Sequence, residues 1–229
     1  MDFESACMNL PWHEIKTALL DMDGTLLDLR FDTHFWMEHL PLRYGQARGL
    51  ELQAAQAYVH GEIETRRGTL EWYSLDFWSE SLGLDLLALK HEVKHLIAVH
   101  PHVVEFLDAL RAAGKRVVLV TNAHNDSLHL KLERTGLGGH FDRVVCAHDL
   151  GLPKEDPAFW PRLRDLEPFD PEHTLLADDT ATVLQSAAVY GIRHLLTIKR
   201  PDSGAEAKGD SGFPGVDDFS ELLPLVPEA

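Results

Sequence analysis

At 229 residues, with 45% apolar and 25% charged side chains, the chain has the size and composition of a soluble globular protein with a substantial core. A formal net charge of −16 argues against a nucleic-acid partner, since a phosphate backbone is read by basic patches, and it requires any small anionic ligand to be met by local cations or a metal. No run approaches the roughly 18 apolar residues of a membrane-spanning helix; the opening segment MDFESACMNLPWHEI lacks a signal-peptide pattern, and two cysteines, Cys7 and Cys146, make no disulfide framework, so the expected setting is the cytoplasm, away from membranes.

The first β-leaning run is 17–22, TALLDM, short and apolar as a strand buried on both faces should be. From residue 30 to about 100 the pattern is helical and rich in Trp, Tyr, Leu and Glu. Apolar residues at 103, 106, 107 and 110 then follow helical spacing, closed by Gly114, and lead into a second strand at 116–121, RVVLVT. Leu128 and Leu132 mark a further helix that Gly136 ends, before a third strand at 143–147, RVVCA. Asp156 and Pro157 form an N-cap and N1 pair for a helix through Phe159 and Leu163. The fourth strand, 174–178, TLLAD, precedes a stripe of Val183, Ser186, Ala187 and Tyr190 stopped by Gly191, and the fifth is 193–198, RHLLTI. Residues 201–216, PDSGAEAKGDSGFPGV, read as a polar loop. The alternation predicts an α/β fold: a doubly wound, Rossmann-like parallel sheet. Residues 1–28 and 101–229 form its core, and 29–100 are inserted as an all-helical cap domain.

Ligands of such sheets bind beyond the carboxyl ends of the strands. Those ends carry Asp21 and Asp23 (LLDMDGTLLD), Thr121 and Asn122 (VLVTN), Lys154 in the loop after the third strand (PKEDP), and Asp178 with Asp179 (ADD). Taken singly, each has an ordinary explanation as a strand-end threonine, a solvated lysine or a turn aspartate. A calcium loop is the rival explanation for DMDG, but Thr25 and Leu26 stand where a third oxygen ligand and a glycine are needed. The convergence of four separated segments lifts each of them.

In this order the four motifs resemble the signature of the haloacid dehalogenase (HAD) superfamily phosphatases, across the whole core. The stretches WYSLDFWSESLGLD, VTNAHNDSLHLKLERTGL and GLPKEDPAFW further resemble its bacterial GMP/IMP 5′-nucleotidase branch, insert included. The resemblance implies a Mg²⁺-dependent phosphoric monoester hydrolase acting on a nucleoside 5′-monophosphate, as a monomer or homodimer, beneath a helical lid. The chemistry agrees with the residue types. Asp21 is placed to attack phosphorus and form an aspartyl-phosphate, and Asp23 to protonate the leaving oxygen and then activate water. Thr121, the Asn122 amide and Lys154 would hold phosphate. Asp21, the Asp23 carbonyl, Asp178 and Asp179 would ligate Mg²⁺, with Asp179 the direct ligand by alignment with the family motif. Alternatives are a phosphatase or phosphotransferase for another small ester such as a sugar phosphate, a dehalogenase, and a non-catalytic receiver-like metal- and phosphate-binding module. The second does not need Asp23; the third reverses the order of the acidic motifs and has no long insert.

The insert contains HEVKH, residues 91–95, which fits the zinc-binding H-E-x-x-H pattern through His91, Glu92 and His95. Ala98 and Pro101 occupy the places of the extended motif, Lys94 adds a cation, and fourteen histidines make a chance match easy, so a charged exposed face is the expectation. Phe35, Trp36, Trp72, Tyr73, Phe77 and Trp78 are expected to build the insert's core, with one or two reaching a base. Of Arg30, Arg66 and Arg67, Arg30 is the best candidate for a substrate contact, since it closely follows the catalytic loop.

Overall fold

A computed structural model describes residues 10–225. Six parallel strands lie in the order β3-β2-β1-β4-β5-β6: β1 Thr17–Leu20, β2 Arg116–Thr121, β3 Arg143–Cys146, β4 Thr174–Ala177, β5 His194–Ile198 and β6 Gly215–Val216. The helices are α1 Arg30–His34, α2 Leu40–Arg48, α3 Leu52–Glu64, α4 Leu70–Tyr73, α5 Leu75–Leu82, α6 Leu86–Glu92, α7 Val103–Ala112, α8 Asn125–Thr135, α9 Ala147–Leu150, α10 Phe159–Leu166 and α11 Ala181–Tyr190. The strand period of two sorts the core. Ala18 and Leu20 face α7 and α8 with Val117 and Leu119, while Leu19 faces α10 and α11 with Val118 and Val120. Both faces are covered, which is why the strands read as unbroken apolar runs.

Several boundaries differ from expectation: β1 ends at Leu20 and β4 at Ala177, β5 starts at His194, and three further differences have a visible cause. The last two residues of the loop 201–216 form β6 beside Thr197 and Ile198. Two residues are too few to print a period, and Gly215 is required there, because a Cβ would lie 2.5 Å from Thr197 Cγ2. The third strand ends at Cys146, with Ala147 opening α9. Asp156 caps the turn before α10 by accepting from Ala158 N at 2.8 Å, and the helix itself starts at Phe159. Cys146 is a buried free thiol, and Cys7 lies outside the described residues.

The insert between β1 and β2 is helical from Arg30 to Leu96. Its first helix runs through a π turn at Phe35–His39 into α2. Pro41 explains the widening: it has no N–H for the Met37 carbonyl, which instead accepts from His60 Nε2 at 3.2 Å. Phe31, Phe35, Val59, Leu75, Trp78, Leu82 and Leu86 bury together and continue into the core beneath the sheet. The two chain crossings into the insert pair with each other through Asp28 N to Ala98 O and His100 N to Leu26 O, both 3.0 Å. HEVKH behaves as a charged surface: α6 ends at Glu92, which takes His39 and Arg43 at 2.9 Å each, and His91 and His95 fall on either side of the break, both exposed.

Candidate active site

β1 ends one residue before Asp21, whose backbone N donates to Ala177 O at the end of β4 (3.0 Å), so the first and fourth motifs are joined by the sheet itself. Gly24 then turns with φ 78°, and a Cβ there would lie 2.7 Å from the Asp179 carboxyl group. Thr25 Oγ1 accepts from Asp179 N at 3.1 Å, a further tie between the two loops.

Asp21, Asp178 and Asp179, all buried, bring carboxylate oxygens within 4.8 Å of one another. Lys154, 2% exposed, donates to Asp21 Oδ1 (2.5 Å), Asp178 Oδ2 (2.6 Å) and Val120 O (3.2 Å). Lys208 donates to Asp179 Oδ2 at 2.6 Å and to its carbonyl at 2.8 Å. Three carboxylates against two ammonium groups leave one net negative charge in a buried space. Burial, opposed by Lys154 and reinforced by the Asp178 and Asp179 carboxylates, pushes Asp21 well above the usual carboxylate range. Burial pushes Asp178 up to about 6, against the pull of Lys154. Burial alone would lower Lys154, but the two carboxylates outweigh it and hold the ammonium charged. Hard oxygen donors with surplus negative charge fit Mg²⁺, and Asp21, Asp178 and Asp179 are the residues that would hold it.

The second motif adjoins this floor. Asn122 Oδ1 accepts from Lys154 N at 2.9 Å, its Nδ2 donates to Glu155 at 2.9 Å, and Glu155 also accepts from Tyr73 Oη of the insert at 2.6 Å. Thr121 Oγ1 accepts from Ala123 N at 3.0 Å, shaping the turn between β2 and α8. Asp23 points elsewhere: its Oδ1 accepts from Lys131 Nζ of α8 at 2.6 Å, and Lys131 also donates to Asp32 of α1 at 2.6 Å. Lys90 of α6 reaches the other Asp32 oxygen at 2.8 Å. Burial would raise Asp32, but Lys131 and Lys90 hold it down to about 2.

All seven predicted core residues line one cavity of about 1160 Å³, with Trp36, Met37, Ile63, Trp72 and Tyr73 of the insert forming part of its wall. Arg30 is not among the lining residues: its side chain packs over Gly204 and lies 3.7 Å from Glu38. Arg67 does line the cavity, as do three of the six singled-out aromatics. Sequence reasoning missed Asp32, Lys90, Lys131, Glu155 and Lys208. For two of these a signal existed: Lys131 falls on the Leu128–Leu132 stripe, and Lys90 on that of Leu86, Leu89 and Val93, where an apolar residue is the norm.

A family model of haloacid dehalogenase-like hydrolases matches residues 15–191. The chain is 41% identical over 219 residues to the GMP/IMP nucleotidase YrfG of Escherichia coli (strain K12), covering 96% of this chain and 99% of the relative. It is 25% identical to a phosphoglycolate phosphatase of Pseudomonas putida, over 91% and 79% of the two chains. The crystal structure of a HAD phosphatase from Thermococcus onnurineus superposes with a TM-score of 0.77 at 22% identity, over 92% of this chain and 97% of that one. With its parallel sheet, its helical insert and its motifs in order, the chain belongs to the haloacid dehalogenase-like hydrolases and is a phosphatase.

Proposed function

We propose that this phosphatase hydrolyses nucleoside 5′-monophosphates, purine ones such as GMP and IMP foremost, with Mg²⁺ and through an aspartyl-phosphate at Asp21. The observation that carries this reading is the cavity: a charged floor opens into an aromatic and apolar chamber of the insert, and the whole, at about 1160 Å³, has room for a nucleoside monophosphate. The relative named a GMP/IMP nucleotidase supports the same substrate class.

Lys154, Thr121 and the Asn122 backbone N–H take the phosphate oxygens and offset the repulsion that a dianion meets in an acidic protein. Bound at Asp21, Asp178 and Asp179, with the Asp23 carbonyl as a further oxygen ligand, Mg²⁺ would neutralise charge on the phosphoryl group. Asp21 then attacks phosphorus in line with the ester oxygen. Asp23, two residues on, gives a proton to that oxygen as the P–O bond breaks, and takes one from the water that next attacks the phosphoryl-aspartate. Residues 29–100 act as a lid: Trp36 and Trp72 offer faces to a base, and closure keeps bulk water from the acyl phosphate.

Phosphate release from GMP, IMP, AMP, UMP, CMP, sugar phosphates and p-nitrophenyl phosphate, with Mg²⁺ and with EDTA, tests the reading. Purine monophosphates should lead by at least about tenfold in kcat/KM, a margin that base–aromatic contact can supply, and EDTA should silence all of them. Preference for a sugar phosphate would leave the phosphatase chemistry and overturn the nucleotide assignment.

A further inference from the structure

Between core and insert lies a closed charge network built of Asp23, Lys131, Asp32 and Lys90. Lys131 and Lys90 are 1% and 2% exposed. Both Asp32 oxygens are engaged: Oδ1 accepts from Lys90 and Oδ2 from Lys131. Lys90 is boxed by the Phe31 and Phe35 rings, with centroids at 4.8 and 4.7 Å, so the Asp32 carboxylate cannot shift with it without disturbing that packing. Lys131 is thus fixed from one side by the insert and presents its ammonium to Asp23 Oδ1 on the other. Asp23 Oδ2 takes no hydrogen bond among the described residues and belongs to a cavity-lining side chain, so it is the oxygen left free of the network.

We propose that Lys131, clamped by Asp32, is the positioning residue that orients the Asp23 carboxyl group for proton transfer to the leaving oxygen. This rests on the acid role of Asp23 given above. Apolar side chains on the same helix stripe would pack without any desolvation cost. Asp23 supplies the second negative charge that balances Lys131 and Lys90, and it is the member of the network that lies two residues from Asp21, so the ion pair that completes the network also fixes the Asp23 carboxyl group beside the floor. A carboxyl group free to rotate by an ångström loses its line to the ester oxygen, and misplacement on that scale costs about 100-fold.

Leaving-group dependence separates orientation from mere structure. An alkyl ester needs its oxygen protonated as the P–O bond breaks, whereas p-nitrophenolate leaves unaided. kcat/KM reports only the steps up to phosphoryl transfer to Asp21. We therefore compare kcat/KM for GMP (glycerol 3-phosphate if GMP is not turned over) with that for p-nitrophenyl phosphate. Asp23→Asn should lose about 100-fold or more on the alkyl ester and under about tenfold on the aryl ester. Lys131→Met should show the same split, about 100-fold against under tenfold. Removal of one member of a buried ion pair can unfold a protein, so the charge-balanced Lys131→Met with Asp32→Asn is measured beside it. Lys131→Arg, which keeps the charge but moves the donor, should lose less on the alkyl ester and little on the aryl one. Folded Lys131 variants that lose both esters equally, while Asp23→Asn shows the split, would overturn the role of Lys131. If Asp23→Asn shows no split either, the acid assignment itself fails.

Discussion

The floor of the cavity and its wall solve opposite electrostatic problems. On the floor, Asp21, Asp178 and Asp179 face Lys154 and Lys208, one positive charge short of balance. At the wall, Asp23 and Asp32 face Lys131 and Lys90, and the charges cancel. A site one positive charge short suits a cation, as the proposed Mg²⁺ would be; a balanced one suits holding its members still. The same residue types therefore serve binding in one place and orientation in the other, and the difference lies in the count.

The largest expected effect breaks the floor at its centre. Asp21→Asn removes the proposed nucleophile while keeping its shape, so turnover should fall by about 10⁴-fold or more with the melting temperature preserved or raised. Substantial residual activity would rule out covalent catalysis at this residue. Next, Lys154→Met should cost about 10³-fold in kcat/KM and, without Mg²⁺, about 3 kcal/mol of stability near neutral pH. It strips the one cation shared by Asp21 and Asp178, as denaturant titration would show.

Two carboxylates, Asp178 of the floor and Asp32 of the wall, carry opposite pH signs, while burial raises Asp23 beside Asp32 against the pull of Lys131. Asp178, raised to about 6 without metal, binds its proton more tightly folded than unfolded. Stability from this group therefore falls as pH rises from about 4 to about 6, by on the order of 1–3 kcal/mol. Asp32, lowered to about 2, behaves in reverse: its contribution is present above about 4 and is lost as pH falls toward 2. Melting curves in EDTA should accordingly show both slopes. Mg²⁺ should abolish the first and leave the second, and a metal that changed neither would mean it does not bind at the three carboxylates. At the small end, His91→Ala with His95→Ala should leave activity within about twofold and stability within about 0.5 kcal/mol, as expected of exposed residues beyond the cavity. A zinc-dependent loss would reopen the metal reading of HEVKH.

The carboxylates of the floor were legible from sequence because Asp21, Asp178 and Asp179 follow apolar runs, and a parallel sheet delivers strand ends to one edge by geometry alone. Asp21 beside Ala177 follows from the pairing of two such runs. Other parts depend on reach across the fold. Lys208 comes from a loop whose polar composition says nothing about where it returns, and Arg30, adjacent in sequence to the catalytic loop, turns away to Glu38. The wall lies between these cases. Lys131 and Lys90 each occupy a position where helical spacing demands an apolar residue, and a lysine on such a stripe is a buried charge awaiting a partner. The partner, Asp32, is about a hundred residues from Lys131, and no local pattern names it.

The account turns on a phosphoryl group passing through Asp21 before it reaches water. The stereochemical course at phosphorus tests this most directly, using a thiophosphate monoester made chiral with oxygen isotopes and hydrolysed in isotopic water. Two in-line displacements, first by Asp21 and then by water, predict retention of configuration. Inversion would mean that water attacks the ester in a single step and that Asp21 serves only to hold the metal.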